Sequence, residues 1–196
     1  MTVIYGIYRN VRNAAWQCLI DNVITALPVD LFKIATAAGI KVLKNTDVGM
    51  LAGNESGACY YIYANEEWFL IYDDEATTGR RRTAIAHELG HIFLGHEFAE
   101  GTYGRTFNSR KPKSEEQADA FAARLLCPAC VLWGLGIHTA DDIAKICSVS
   151  LAEAKKRAER MKLLYERQKF LTSPIEKKLF EQFKSFIEQN KKPAPI

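Results

Sequence analysis

The stretch RRRTAIAHELGHIFL, residues 80–94, carries the strongest structural signal in the chain. Its apolar residues recur at helical spacing and predict a helix of about 15 residues. His87 and His91 are four positions apart, so they lie on one face and both imidazoles can reach one tetrahedral metal ion. Glu88 is rotated by about 100° from His87 and can reach a water on that metal without ligating it. The pattern H-E-x-x-H therefore predicts a metal site that includes a general base.

The alternative to a metal site is a surface helix that carries two coincidental histidines. Ala84, Ile85, Ala86 and Leu89 argue against it, because they leave little of the helix for solvent. The sequence therefore favours a helix that is largely buried.

A metal bound by two histidines needs a third protein ligand, and the next predicted helix offers acidic candidates. We predict that this helix starts at Ser114, with Gln117 reaching back to cap it. Glu115 and Asp119 share one face, so Glu115 could ligate the metal while Asp119 accepts the ring N–H of a ligand histidine. Glu116 is rotated off that face and is the weaker candidate. Favourable charge at a helix N-terminus would explain both glutamates, but not Asp119 in its apolar surroundings.

The segments around these two helices predict an α+β fold. ACYYIYANEEWFLIYDD, residues 58–74, is rich in aromatic and β-branched residues and predicts an antiparallel hairpin with its turn at 65–66. IKVLK, residues 40–44, predicts a further strand, and residues 10–39 predict two helices. We therefore expect a small antiparallel sheet packed against the helix of the H-E-x-x-H motif.

The C-terminal part of the chain is predicted to be helical. Ser150 and Ser173 are predicted N-caps, and the pattern after Ser173 predicts one last helix. We predict two units, residues 1–136 as the catalytic domain and residues 137–196 as a helical extension packed on that core.

Composition limits the class of protein. The chain has 196 residues, a mean hydropathy of -0.14 and no apolar run near the roughly 18 residues of a membrane span. Its net charge of +3 is too small to indicate nucleic-acid binding by itself. The five cysteines are an odd number in a chain that needs no disulfide framework, and the N-terminus does not resemble a signal peptide. We therefore expect a cytoplasmic protein without a membrane partner.

A helix-turn-helix is the competing interpretation of the C-terminal part. IAKICSVSLAEAKKRAERM, residues 143–161, resembles such a motif, and its second helix is basic. The simpler interpretation, an amphipathic helix with a charged outer face, is the one we favour. DNA binding therefore stays open as an alternative function, as does a zinc protein that binds its partner without cutting it. The pair Cys127 and Cys130 lacks two further zinc ligands and is interpreted as ordinary thiols.

Three segments together resemble the zinc metallopeptidases of the ImmA/IrrE type, within the gluzincins. They are LPVD (27–30) followed by GI (39–40), RTAIAHELGH (82–91) and EEQADAFAARLLCP (115–128). The resemblance covers roughly residues 20–165, and Cys127 is a minor departure where an apolar residue is common. It implies a zincin-like core followed by C-terminal helices.

This resemblance implies roles for the site residues. One zinc ion would be held by His87, His91 and Glu115, which places Glu115 rather than Glu116 in the ligand position. Glu88 would be the catalytic base, and Asp119 would orient a ligand histidine. The implied activity is cleavage of a DNA-binding repressor, often in mobile elements or stress responses, and an activator protein is a further expected partner.

The group that stabilises the oxyanion or contacts substrate is not identified by any motif. Tyr103, His96 and His138 are weak candidates, and His96 could equally cap the end of its helix. A substrate strand could pair with the edge of the hairpin at 58–72, which gives affinity through main-chain hydrogen bonds.

Overall fold

The structure is a computed structural model that describes residues 4–5, 10–64, 66–96 and 113–191. It has a mixed α+β architecture, as predicted. In chain order the elements are α1 (Val11–Asp21), α2 (Leu31–Ala37), β1 (Ile40–Lys44), α3 (Asn45–Val48), β2 (Gly57–Ile62), β3 (Glu67–Tyr72), α4 (Thr78–Leu94), α5 (Lys113–Leu126), α6 (Ala129–Gly134), α7 (Ala140–Cys147), α8 (Leu151–Glu166), α9 (Pro174–Gln182) and α10 (Lys184–Asn190).

The three strands form one sheet in the order β1-β3-β2. β2 and β3 are antiparallel, with Gly57 opposite Tyr72, so the predicted hairpin is confirmed. β1 runs parallel to β3, with Ile40 opposite Trp68. The sheet is therefore mixed rather than wholly antiparallel, because the chain passes through α3 and β2 before it returns alongside β1 in the same direction.

Helix α4 contacts both the sheet and the other helices. It contacts β2 and β3 as well as α5, α1 and α2. Ile85, Leu89 and Ile92 are buried, which gives the apolar face that the sequence predicts. The helix has 17 residues and runs from Thr78 to Leu94, slightly longer than expected.

Helix ends differ from the predicted ones in two places. Helix α5 already includes Lys113, so Ser114 lies in its first turn rather than at the N-cap. Ser150 caps α8 by accepting the N–H of Glu153, whereas Ser173 at the start of α9 accepts no such bond. The predicted last helix is two helices, α9 and α10, which meet at Phe183.

The C-terminal helices share a hydrophobic core with the elements before them. That core runs from Tyr5 in the N-terminal segment to Ile187 in α10. Gln182 in α9 also donates hydrogen bonds to the carbonyls of Leu19 and Ile24, at 2.9 and 2.7 Å. The division at residues 136 and 137 stays a prediction, and these contacts connect its two sides.

Helices α7 and α8, which include the segment that resembles a helix-turn-helix, contact each other. In α8, Lys155, Lys156 and Arg160 are exposed, whereas Arg157 is buried. One of the four basic side chains thus faces the protein interior. No described helix is both long enough and apolar enough to span a bilayer. The five cysteines are free thiols and all are buried.

Candidate metal site

Two helices position the candidate metal ligands, and they approach closely because Gly90 lies between them. A Cβ at this position would lie 3.2 Å from both the Cα and the carbonyl oxygen of Ala118, and 3.3 Å from Cβ of Phe121. These atoms belong to α5, so only a glycine allows this spacing without displacement. Gly90 is also the fourth residue of the His87–His91 motif. Its role was missed from the sequence, because that role depends on how α4 and α5 pack.

The structure brings together the three side chains expected to hold the metal. Nε2 of His87 lies 3.0 Å from Nε2 of His91, and the two nitrogens lie 3.3 and 3.2 Å from the carboxylate oxygens of Glu115. A tetrahedral zinc ion with bonds of about 2.0–2.1 Å separates its ligand atoms by about 3.3 Å. The donor atoms of these three residues therefore fit one zinc ion. Glu116, the weaker candidate, is exposed and is not part of this group.

Asp119 lies within hydrogen-bond distance of the first histidine. Its Oδ1 lies 2.8 Å from Nδ1 of His87, so the carboxylate can accept the Nδ1–H of the ring. This bond selects the tautomer in which Nε2 carries a lone pair toward Glu115. The geometry is the one expected of Asp119 as an orienting residue.

His96 and Gln117 form a chain of close contacts with the second histidine. Nδ1 of His96 lies 3.1 Å from Nδ1 of His91, and Nε2 of His96 lies 3.2 Å from Oε1 of Gln117. If the Nε2–H of His96 donates to Gln117, Nδ1 of His96 accepts the Nδ1–H of His91, and Nε2 of His91 then carries the lone pair that a metal would need. Burial lowers the pKa of His96, which favours the neutral ring that this chain of bonds requires.

This arrangement concerns two expectations. His96 was a weak candidate for substrate contact, which stays a prediction, and in the structure its ring contacts the candidate ligand His91. Gln117 was expected to reach back toward Ser114, and it bonds His96 instead. The sequence contains no signal for this pair, because the contact joins the end of α4 to the first turns of α5.

The carboxylate of Glu88 is buried beside strand β2. Glu88 is 3% exposed, and a Cβ on Gly57 would lie 3.3 Å from its Cγ. Tyr60 lies on the same strand and interacts electrostatically with that carboxylate. Burial is the largest cause of its raised pKa, and the negative charges of Glu55 and Glu88 raise the pKa further. Glu88, on the helix that carries both candidate histidine ligands, therefore lies beside β2.

Of the two other weak candidates, His138 lies away from this group and Tyr103 is not among the described residues. His138 lies between α6 and α7, and its ring packs on Tyr165 with the centroids 4.4 Å apart. The structure thus places it among the C-terminal helices. Tyr103 lies outside the described residues.

Comparison with protein families gives one match. The sequence model of the peptidase family described as the IrrE N-terminal-like domain matches residues 35–159, more than half of the chain. The matched segment includes α4, α5 and every residue of the group described above. Comparison with curated proteins finds no match.

Proposed function

Since this chain belongs to the metallopeptidase family of IrrE N-terminal-like domains, we propose that it is a zinc-dependent endopeptidase that acts on a protein substrate. The observation that best supports the proposal is the convergence of His87, His91 and Glu115. Two imidazole nitrogens and one carboxylate are a ligand set of catalytic zinc, which keeps a fourth position for water or substrate. The hydrogen bonds behind both histidines add support, because ligand histidines of zinc sites usually have such partners.

Glu88 is the general base in this proposal. Zinc, when bound, is a Lewis acid that lowers the pKa of its water toward about 7. Glu88 lies one residue after His87 and beside β2, so its carboxylate can accept a proton from a water held between the ligands and the strand. It then returns the proton to the leaving nitrogen when the peptide bond breaks. Its burial at 3% exposure keeps bulk water from competing for that proton.

Strand β2 is the proposed docking edge for substrate. Among the described strands it pairs with β3, and it is an edge strand of the three-stranded sheet. A substrate segment that adds to this edge would run next to Glu88 and bind through its main chain. Tyr60 lies on this strand and is half-buried. It is therefore placed to contact a bound segment.

The proposed substrate is a DNA-binding transcriptional repressor in the cytoplasm, with an activator protein as a further partner. This part of the proposal rests on the resemblance to the ImmA/IrrE type.

The activity is tested with the zinc-loaded chain and a library of proteome-derived peptides. Glu88→Gln removes the base but keeps the shape of the side chain, so we expect it to retain zinc and to cleave about a hundredfold or more slowly. New peptide termini are counted by mass spectrometry. Unchanged cleavage by Glu88→Gln would sink the mechanism.

The substrate is tested with the same variant as a trap. Tagged Glu88→Gln protein is crosslinked in cells, and the captured proteins are identified. We expect a repressor that the wild-type chain then cleaves in a purified mixture. If every captured protein resists the wild-type chain, the repressor assignment is wrong while the peptidase activity is tested separately by the peptide library.

A further inference from the structure

A pocket lies between α5 and α8, next to the candidate metal site, and it is lined by different chemical groups. Its volume is about 450 Å³, within the range of roughly 300–1,000 Å³ that is usual for small-molecule sites. Asp119, which accepts the ring N–H of His87, contributes to its wall. The rest of the metal group does not line it.

Arg157 from α8 gives this pocket a buried cation with free donors. The side chain is 9% exposed, and its Nε and Nη2 have no hydrogen-bond partner within the described part of the chain. A buried guanidinium that leaves donors unpaired costs free energy, so such a group calls for an anion. Thr83 from α4 also lines the pocket, and its buried hydroxyl has no partner among the described residues.

The charge around the pocket is predominantly positive. Four cationic side chains line it, against the two carboxylates of Asp119 and Glu153. Besides Arg157 they are Arg124, Lys156 and Arg160. Burial, with the charges of Arg157 and Arg160 next, lowers the pKa of Arg124 to about 10. The cations therefore repel one another, and the pair of Lys156 with Glu153 is a loose one, at 3.8 Å.

We propose that this pocket binds a phosphorylated small molecule. The planar guanidinium of Arg157 suits a phosphate group. Its Nε and Nη2 are covered by protein atoms, and a change of side-chain rotamer that uncovers them would let them donate two parallel hydrogen bonds. The hydroxyl of Thr83, covered in the same way, would donate a third. An inorganic phosphate ion would leave most of the volume empty. The remaining wall is largely apolar, so it suits the organic part of a phosphate ester; its members are Ala120, Ala122, Ala123, Leu126, Cys127 and Val149.

The buried position of Arg157 distinguishes this ligand from a DNA backbone. A DNA duplex contacts side chains that project from the surface, as Lys155 does in the same helix. Arg157 instead lies at the buried wall of the pocket, away from the surface that a duplex would contact.

Isothermal titration calorimetry with the full chain tests the site. The probes are adenosine monophosphate and glycerol phosphate, with adenosine, glycerol and inorganic phosphate as references. We expect at least one ester to bind at one site per chain, about tenfold or more tighter than its uncharged counterpart and than inorganic phosphate. The proposal would be overturned if neither ester showed saturable binding. It would also be overturned if inorganic phosphate bound as tightly as the esters.

Variants of α8 locate the bound ester. Arg157→Gln should weaken binding by about tenfold or more, and Lys156→Gln and Arg160→Gln by a few-fold each. Lys155→Gln is the matched control, since Lys155 is exposed on the same helix but does not line the pocket, and its affinity should be unchanged. If Arg157→Gln fails to fold, the comparison of Lys156 and Arg160 with Lys155 decides. An equal loss in all of these variants would contradict a site in the pocket.

Two controls separate this site from the proposed peptidase chemistry and from DNA binding. Titrations are repeated on protein stripped of metal and desalted, and the affinity for the ester should not change. Binding that requires the metal would move the ligand to the peptidase site and overturn the proposal, whatever the outcome of the peptidase assays. Binding of a short DNA duplex together with no binding of either ester would overturn it in favour of a nucleic-acid surface.

Discussion

At the scale of single residues, each histidine of the site has a hydrogen-bond partner at its Nδ1 atom, while its Nε2 atom lies near Glu115. His87 is held by Asp119, and His91 is held by His96 and Gln117. Without these partners each imidazole could rotate or change tautomer, and the two Nε2 atoms would not be directed reliably at Glu115. In the proposed site the outer partners would therefore hold the imidazoles in the orientation that a metal needs.

Asp119→Ala should weaken zinc binding without removing a ligand. The loss of the carboxylate behind His87 is expected to lower zinc affinity by about 10- to 100-fold, measured by competition with a fluorescent chelator. Glu116→Ala is the control, because Glu116 is an exposed carboxylate on the same helix. Equal zinc affinity in both variants would show that Asp119 has no role in orienting His87.

The sequence predicts the residues of the site better than it predicts their outer partners. His87, Glu88 and His91 follow from spacing on one helix, and the geometry of Glu115 and Asp119 follows from spacing on the next. The roles of these residues were expected from the resemblance to the ImmA/IrrE type, and that resemblance is confirmed at the level of the family. The contact of His96 with Gln117 joins two helices separated by a long segment, and local periodicity contains no information about such a contact.

At the scale of elements, the site depends on how closely α4 approaches α5. The ligands come from both helices, so their separation sets the distances between the imidazoles and Glu115. Gly90 permits the approach, since Cβ would lie 3.2 Å from the backbone of Ala118. A backbone neighbour within a helix cannot move away as a flexible side chain could.

Gly90→Ala should therefore destabilise the chain, although alanine is the better helix former. The propensity gain of about 1 kcal/mol is opposed by an overpacking cost of about 1–3 kcal/mol, so we expect a net loss of up to about 2 kcal/mol in the free energy of unfolding. Zinc affinity should fall as well, because α5 carries Glu115 away from the histidines.

Urea denaturation and chelator competition measure the two effects of Gly90→Ala. Gly53→Ala is the matched control, since a Cβ there meets no atom within 4 Å. A Gly90→Ala protein with unchanged stability and unchanged zinc affinity would contradict the role assigned to this contact.

In the sheet, local sequence patterns predict the hairpin but not the direction of the third strand. The hairpin of β2 and β3 was predicted because both strands and their turn are contiguous in sequence. The parallel pairing of β1 with β3 was not predicted, since the direction of two distant strands depends on the route of the chain between them. For the same reason the pattern after Ser173 did not reveal the break at Phe183 between α9 and α10, which depends on packing against the core.

At the scale of the whole molecule, the C-terminal helices are joined to the N-terminal helix by contacts across the predicted boundary at residue 136. The amide of Gln182 bonds two carbonyls near the end of α1, and Phe183 beside it is fully buried. A chain joined in this way is expected to unfold as one cooperative unit.

Gln182→Ala tests that connection. It removes the amide that donates to the carbonyls of Leu19 and Ile24, although the carbonyl of Leu19 still accepts the backbone N–H of Ile24. We therefore expect a loss of about 1–3 kcal/mol in a single transition that circular dichroism and fluorescence report alike. Glu181→Ala, at the exposed neighbouring position, should change stability by less than about 0.5 kcal/mol. Two separate transitions in the wild-type chain would contradict a shared core and favour two independent units.

The zinc content of the purified chain tests the central claim most directly. Wild-type protein, Glu115→Gln and Glu116→Gln are each loaded with zinc, desalted and analysed by inductively coupled plasma mass spectrometry. We expect one zinc ion per chain in the wild type and in Glu116→Gln, and a large loss in Glu115→Gln, because Glu115 alone of these two carboxylates lies beside Nε2 of His87 and His91. A wild-type chain that retains no zinc, or a Glu115→Gln chain that retains as much as Glu116→Gln, would contradict the assigned metal site.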